Sequence, residues 1–150
     1  MKTYLANETE TAQLAAKLAD IFCPPLVIYL RGDLGAGKTA MVRHLLRSLN
    51  YAEVVRSPTY TLLEQHQLVS AVVHHLDLYR LTDPEELNYL GLRDIDTEQS
   101  LWFIEWPERG EGYLPLPDIE ITLIYQEDGR CVSFSGITPA GKNILEMLDL

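Results

Sequence analysis

Several features of common protein classes are missing from this 150-residue sequence. Its two cysteines, Cys23 and Cys131, lie far apart and outside any paired motif, so we expect bystander thiols, not a disulfide or a metal site. No apolar run approaches the roughly 20 residues that a membrane helix needs. Residues 1–8 lack a basic start followed by an apolar stretch, so we expect no secretion signal. These absences together predict a cytoplasmic protein without membrane association.

Excess positive charge is also missing, because the formal net charge is −10. Residues 1–75 carry seven Lys or Arg against six Asp or Glu, whereas residues 76–150 carry five against sixteen. Such an acidic chain is a poor independent binder of nucleic acid, since cationic contacts to phosphates dominate that affinity. If the protein serves a nucleic-acid pathway, we expect a protein partner to hold the nucleic acid.

One segment matches a phosphate-binding loop, also called a Walker A motif or P-loop. Residues 32–39, Gly-Asp-Leu-Gly-Ala-Gly-Lys-Thr, fit the pattern Gly-x-x-x-x-Gly-Lys-Thr at every fixed position. The apolar run 26–30 predicts a buried strand before the loop, and the periodicity of 41–50 predicts a helix after it. Backbone N–H groups at the helix N-terminus would face a phosphate. Lys38 would reach the outer phosphates, and the Thr39 hydroxyl would bind Mg²⁺.

Two acidic residues end apolar strands farther along the chain. Asp77 closes the predicted strand 69–78 in the manner of a Walker B strand, whose carboxylate serves the magnesium site. Glu105 follows the apolar run 101–104, which predicts a central strand. The carboxyl ends of parallel strands gather at the ligand crevice, so both acids are candidates for the magnesium site. An acid that merely faces water at a strand end would show the same pattern.

The order of the elements predicts one α/β domain over residues 1–150. We expect a P-loop NTPase-like three-layer sandwich with a mostly parallel central sheet and a C-terminal antiparallel hairpin. Asn7 and Glu10 predict the capped start of the first helix. The remaining predicted elements are an edge strand at 3–6, a brief strand at 54–55, a hairpin at 61–78, a short helix at 82–91, the C-terminal hairpin at 119–134 and a last helix at 138–148.

Two further features lie near these elements. The loop Ser57-Pro58-Thr59 stands where P-loop enzymes often order a segment around the γ-phosphate, although a plain turn uses the same residue types. His74 and His75 are neighbours on a strand, so their side chains point to opposite faces and cannot share one metal. We interpret both histidines as structural.

Four segments together resemble one family. Gly-Asp-Leu-Gly-Ala-Gly-Lys-Thr, Ser-Pro-Thr-Tyr-Thr-Leu, His-Leu-Asp-Leu-Tyr-Arg-Leu and Ile-Glu-Trp-Pro-Glu occur in the order and at the spacing of the TsaE family. This resemblance covers nearly the whole chain and implies an ATPase of bacterial tRNA threonylcarbamoyladenosine biosynthesis. It implies weak ATP hydrolysis by the free protein and faster hydrolysis with the partners TsaB and TsaD. The transfer step is attributed to TsaD, so contact with tRNA would be indirect.

The resemblance also implies roles for the catalytic and metal-binding residues. Lys38 would neutralise charge on the γ-phosphate, and Thr39 and Glu105 would bind Mg²⁺. Asp77 would act near the metal through water, or orient the attacking water. Ala40 departs from the family, in which many members have a second threonine. The phosphates would be wrapped by Leu34, Gly35, Ala36, Gly37, Lys38 and Thr39.

The resemblance assigns further residues to the surroundings of the nucleotide. Ser57 and Thr59 would belong to a switch loop that closes on the γ-phosphate. Trp106 would lie beside the site and report on its state or transmit it. Thr11 and Arg130 match positions expected near the nucleotide.

Other functions also use a phosphate loop. A P-loop small-molecule kinase needs an acceptor pocket and usually a lid bearing arginines, whereas residues 94–100 are short and acidic. A GTP switch needs an Asn-Lys-x-Asp motif, which this sequence lacks. A third alternative is an ATP-regulated scaffold in which hydrolysis only resets the complex. Arg56 and Arg80 are the candidates for an arginine that assists hydrolysis.

Overall fold

The computed structural model describes residues 1–150 and places seven strands in one sheet. The strands are β1 (Lys2–Leu5), β2 (Leu26–Arg31), β3 (Leu63–Gln67), β4 (Val72–Asp77), β5 (Ser100–Glu105), β6 (Ile119–Gln126) and β7 (Gly129–Gly136). Their order across the sheet is β1-β7-β6-β2-β5-β4-β3. The four central strands, β6, β2, β5 and β4, are mutually parallel, and the outer strands pair antiparallel. The predicted α/β sheet with a mostly parallel centre and a C-terminal antiparallel hairpin is confirmed.

The α-helices cover one face of this sheet. They are α1 (Glu8–Ile21), α2 (Lys38–Ser48) and α3 (Pro139–Glu146). The larger hydrophobic core joins their apolar sides to the strands, and it includes Leu14, Leu18, Met41, Leu45 and Leu145. The last residue of the central strand β5, Glu105, is buried and lies against Thr39 in the first turn of α2.

The opposite face is covered by short 3₁₀ helices in place of α-helices. They are Pro84–Leu90, Leu92–Asp94 and Pro107–Gly110. Leu87 packs there against Leu76 and Trp102 in a second, smaller core. The sandwich therefore has a third layer, which consists of 3₁₀ helices and the chain that connects them.

The start of α1 follows the sequence prediction. The Asn7 Oδ1 atom accepts a hydrogen bond from the Glu10 N–H at 3.0 Å. The Glu10 carboxylate accepts from the Ala6 N–H at 2.7 Å. These reciprocal bonds satisfy donors that would otherwise lack partners at the helix end, so they stabilise the start of the helix.

Two of the predicted elements need correction. Val54 and Val55 form no strand, and the chain from 51 to 57 contains no regular element. Their β-branched side chains favour extended backbone, but no neighbouring strand is in place to pair with them. The segment after Asp83 is a 3₁₀ helix, although its start is capped as expected, with the Asp83 Oδ1 accepting from the Glu85 N–H at 2.9 Å.

Two expectations about composition can also be compared with the structure. Cys23 and Cys131 both carry free thiols. No helix has the combination of length and apolar composition needed to cross a bilayer.

Candidate functional site

The glycine-rich loop joins the carboxyl end of β2 to the first residue of α2. Gly32, Gly35 and Gly37 have positive φ angles of 145°, 78° and 105°. A Cβ atom at Gly32 would collide with the Leu123 carbonyl oxygen, so the loop approaches β6 at a distance that only glycine permits. No side chain caps α2, which leaves the N–H groups of its first turn available to an anion.

Lys38 is held inside this loop. Its Nζ donates hydrogen bonds to the carbonyl oxygens of Gly32 at 2.6 Å and Asp33 at 2.9 Å. The ammonium also lies 4.5 Å from the centre of the Trp106 ring. Burial lowers the pKa of Lys38, while the nearby Glu105 and other carboxylates act in the opposite direction. The loop thus fixes one cation beside the N-terminus of α2.

The first turn of α2 meets the end of β5 through Thr39 and Glu105. The Thr39 Oγ1 lies 3.1 Å from Glu105 Oε1 and 2.9 Å from Oε2. The His75 Nε2 lies 2.6 Å from the same Oε2. A carboxylate only accepts hydrogen bonds, so the hydroxyl and the imidazole N–H are the donors. Of the three residues in this row of hydrogen bonds, Glu105 and His75 are buried and Thr39 is not.

Asp77 stands next to Glu105 on the neighbouring strand. The parallel register of β4 and β5 pairs the two residues directly. The Thr59 hydroxyl donates to Asp77 Oδ2 at 3.2 Å, and the Tyr79 N–H donates to Oδ1 at 3.0 Å. The Ser57 and Thr59 hydroxyls lie 2.7 Å apart. The Ser57–Thr59 loop, for which the resemblance implies a switch role, is therefore hydrogen-bonded to the Asp77 carboxylate.

The glycine-rich loop lines two cavities. One, of about 190 Å³, is lined by Leu34, Gly35, Gly37, Lys38, Thr39, Ala40, Thr59, Asp77, Glu105 and Trp106. The other, of about 370 Å³, shares Gly35, Gly37 and Ala40 with the first. Its lining also includes Ala36, Thr11 and Arg130. The Arg130 Nε donates to the Ala36 carbonyl oxygen at 2.9 Å. Every residue that the resemblance assigns to the nucleotide, the metal or the switch loop, except Ser57, thus lines one cavity or the other.

The oxygen donors of the smaller cavity suit Mg²⁺. They are the hydroxyls of Thr39 and Thr59 and the two carboxylates of Glu105 and Asp77. The chain has no group of three or more His, Cys, Asp or Glu side chains arranged to hold a metal alone. Mg²⁺ does not require such a group, because it keeps several waters and commonly binds one or two carboxylates together with substrate phosphates. The donor set therefore fits Mg²⁺ bound together with a nucleotide.

Sequence analysis missed the contact of His75 with Glu105. The two histidines do point to opposite faces, since His74 stacks on Trp102 with ring centres 4.6 Å apart and bonds to Ser100 at 2.9 Å. His75 points to the other face, where it meets the acid. The alternation of a strand places His75 on the same side as Asp77, but the contact also depends on the register with β5, which the sequence does not reveal.

The two arginines proposed to assist hydrolysis do not line the cavity of Lys38. The Arg80 guanidinium packs over the Tyr60 ring at 4.3 Å. Arg56 is exposed and lines a separate cavity with Tyr51 and Glu53.

Comparison with known proteins gives concordant matches. A family model described as "Threonylcarbamoyl adenosine biosynthesis protein TsaE" matches residues 5–134. The TsaE protein of Haemophilus influenzae is 40% identical over 147 residues, covering 95% of this chain and 93% of the relative. The Bacillus subtilis TsaE protein is 30% identical over 138 residues, covering 91% and 86%. The crystal structure of Bacillus subtilis YdiB superposes with a TM-score of 0.82 at 26% identity, covering 97% of this chain and 91% of YdiB.

Proposed function

Because this chain belongs to the TsaE family of threonylcarbamoyl adenosine biosynthesis proteins, we propose that it binds and hydrolyses ATP with Mg²⁺ in tRNA modification. The pathway comes from the names of the relatives. The observation that carries the ATPase proposal is the 2.9 Å contact between Thr39 Oγ1 and Glu105 Oε2. It joins the hydroxyl that ends a complete phosphate loop to a buried strand-end carboxylate, as a magnesium nucleotide site requires.

In this proposal the loop binds the phosphates of the nucleotide, and the larger cavity binds the nucleoside. The N–H groups of residues 34–39 face the phosphates, and Lys38 exchanges its bonds to the loop carbonyls for the outer phosphate oxygens. The larger cavity, of about 370 Å³, accommodates the nucleoside beside Thr11 and Arg130. This volume lies in the range of small-molecule sites.

Hydrolysis then depends on position and charge. Thr39 and Glu105 would hold Mg²⁺, which when bound would supply neutralisation of the phosphate charge. Lys38 balances the charge that develops on the γ-phosphate. Asp77 orients the attacking water, and its bond to Thr59 couples that carboxylate to the Ser57–Thr59 loop. Closure of this loop around the γ-phosphate would therefore change the hydrogen bonding of the Asp77 carboxylate.

We also propose that TsaB and TsaD act as partners. Lys38 is the one cationic side chain that lines the cavity of about 190 Å³. An additional arginine at a phosphoryl-transfer site is worth about 10³–10⁵ in rate, so we expect slow hydrolysis by the free chain and acceleration by the partners. The net charge of −10 supports an arrangement in which these partners hold the tRNA.

The first test is phosphate release from ATP by the purified chain with Mg²⁺. Lys38→Ala should weaken ATP binding or turnover at least tenfold, which corresponds to about 1.4 kcal/mol. Lys142→Ala is the matched control, because Lys142 is an exposed lysine of α3 and lines neither cavity. Equal turnover in Lys38→Ala and Lys142→Ala would refute the site.

The second test separates an ATPase from an ATP-regulated scaffold. Hydrolysis is measured with and without the TsaB–TsaD pair, for the natural chain and for Glu105→Ala. The variant should dock on the pair without ATP but lose hydrolysis and tRNA modification. If modification continued while hydrolysis was abolished, the scaffold function would replace the ATPase.

A further inference from the structure

His75 is a fully buried imidazole with a single hydrogen bond. It lies in β4 opposite Phe103 of β5, two residues before Asp77. The ring Nε2 lies 2.6 Å from Glu105 Oε2. The ring Nδ1 is buried and has no partner. The side chain is thus a polar group in the large hydrophobic core, held on one side only.

Packing and stability do not account for an imidazole at this position. On this face His75 neighbours Val73, two residues earlier in β4, and its in-register partners Phe103 of β5 and Glu64 of β3. Val73 and Phe103 belong to the apolar core, and the Glu64 carboxylate accepts from the Thr61 hydroxyl and not from the ring. A buried ring nitrogen without a partner destabilises a fold relative to an apolar group of similar shape. The property that distinguishes the imidazole from such a group here is its donation to Glu105.

The Glu105 carboxylate accepts hydrogen bonds from two sides. The Thr39 hydroxyl approaches from α2 and the His75 N–H approaches from β4. A glutamate side chain has three rotatable torsions, so one donor leaves the direction of its carboxylate poorly defined. Donors that hold a metal-binding carboxylate affect metal affinity although they do not touch the metal.

We propose that His75 is a positioning residue whose Nε2–H holds the Glu105 carboxylate against the Thr39 hydroxyl, in the orientation that binds Mg²⁺ together with ATP. This inference rests on the proposed function and adds a residue outside both cavities to that site. It assigns to His75 a role that sequence analysis did not recognise. Loss of the donor should weaken the contribution of Mg²⁺ to nucleotide binding more than it weakens binding of the nucleotide alone.

The test measures binding of a non-hydrolysable ATP analogue by calorimetry, once with Mg²⁺ and once with EDTA. The gain in affinity on adding Mg²⁺ is compared among the natural chain, His75→Leu and His75→Gln. Leucine removes the donor, whereas the glutamine amide can still donate to Glu105. His74→Gln is the matched control, because His74 is equally buried in the same strand but points to the opposite face.

We expect His75→Leu to reduce the gain from Mg²⁺ by about 10–100-fold. We expect His75→Gln to recover most of that gain, His74→Gln to keep all of it, and the affinities in EDTA to stay within about twofold of one another. A full gain in His75→Leu, or an equal loss in His75→Leu and His75→Gln, would overturn the inference alone. If the natural chain itself gained nothing from Mg²⁺, the proposed function would fail and the inference with it.

A measurement on the natural chain does not depend on any variant folding. Long-range proton–nitrogen NMR spectra distinguish which ring nitrogen of a histidine carries the proton. We expect the proton on Nε2 of His75, and we expect that resonance to move on addition of Mg²⁺ and the ATP analogue while the His74 signals stay in place. A His75 ring with an unprotonated Nε2, or with a resonance indifferent to the ligands, would contradict the proposed role.

Discussion

His74 makes the stability of the chain depend on pH in a way that can be calculated. Burial lowers the pKa of this histidine from its ordinary value of 6.5 to about 4. The hydrogen bonds suit the uncharged ring, since the Gln65 amide lies 3.1 Å from Nδ1 and the Ser100 hydroxyl 2.9 Å from Nε2. The Ser100 hydroxyl donates to the Asp96 carbonyl, so it accepts the proton of Nε2. A proton added at Nδ1 would face the Gln65 Nε2 atom, which donates hydrogen bonds and does not accept them.

The sign of the effect follows from the two pKa values. Between pH 6.5 and about 4 the unfolded chain binds a proton at His74 that the folded chain does not bind. The stability that the uncharged ring contributes is therefore complete above pH 6.5 and is lost as the pH falls towards 4. At about 1.4 kcal/mol for each pH unit, the free energy of unfolding should fall by about 2–3 kcal/mol from pH 7 to pH 4.5 because of this residue alone.

The assay is urea denaturation of the natural chain and of His74→Gln at several values of pH across that interval. Glutamine cannot titrate, so the difference between the two proteins isolates His74. Burial, together with the nearby His75, also lowers the pKa of His66, but that contribution is common to both proteins and cancels. The stability difference between the two proteins should shift by about 2–3 kcal/mol in favour of the variant as the pH falls. If both lost the same free energy, burial would not be suppressing protonation of His74.

Three further predictions concern single positions. Asn7→Ala should lower the free energy of unfolding by about 1 kcal/mol, measured in urea, because the cap of α1 is lost. Gly32→Ala should lower it by about 1–3 kcal/mol in the same assay, because alanine is strained at a φ of 145° and its Cβ meets the Leu123 carbonyl. Glu105→Gln should reduce Mg²⁺-dependent phosphate release at least tenfold while the variant remains folded by circular dichroism, since the amide keeps the shape but not the charge.

The central part of the fold could be predicted from the sequence because its signals are local and independent. The runs 26–30 and 101–104 are short and continuously apolar, as in strands buried on both faces. The glycine pattern of 32–39 then fixes where a strand ends and a helix begins. The segment after Asp83 shows the limit of such signals, since a proline and an early cap mark the start of a helix without distinguishing an α-helix from a 3₁₀ helix.

Two other failures of sequence analysis share one physical cause, which is dependence on a distant partner. Val54 and Val55 have the side chains of a strand but no strand beside them. The contact of His75 with Glu105 arises because β4 and β5 pair in parallel with Asp77 beside Glu105. Two strands that end in acids predict that the acids are near one another, but they do not predict which neighbour holds each carboxylate.

Under the proposed function, the charges that line the smaller cavity would determine which form of ATP it accepts. Asp77 and Glu105 contribute two carboxylates against the single ammonium of Lys38, and burial disfavours even that charge. A bare triphosphate would therefore enter a lining that already has a negative balance, and at a partly buried site each close pair of like charges costs a few kcal/mol. A divalent cation bound to the triphosphate reverses this balance, because the two carboxylates then attract the cation. An ATP site of this composition must consequently select the magnesium complex over the free nucleotide, and the direction of the Glu105 carboxylate decides how strongly.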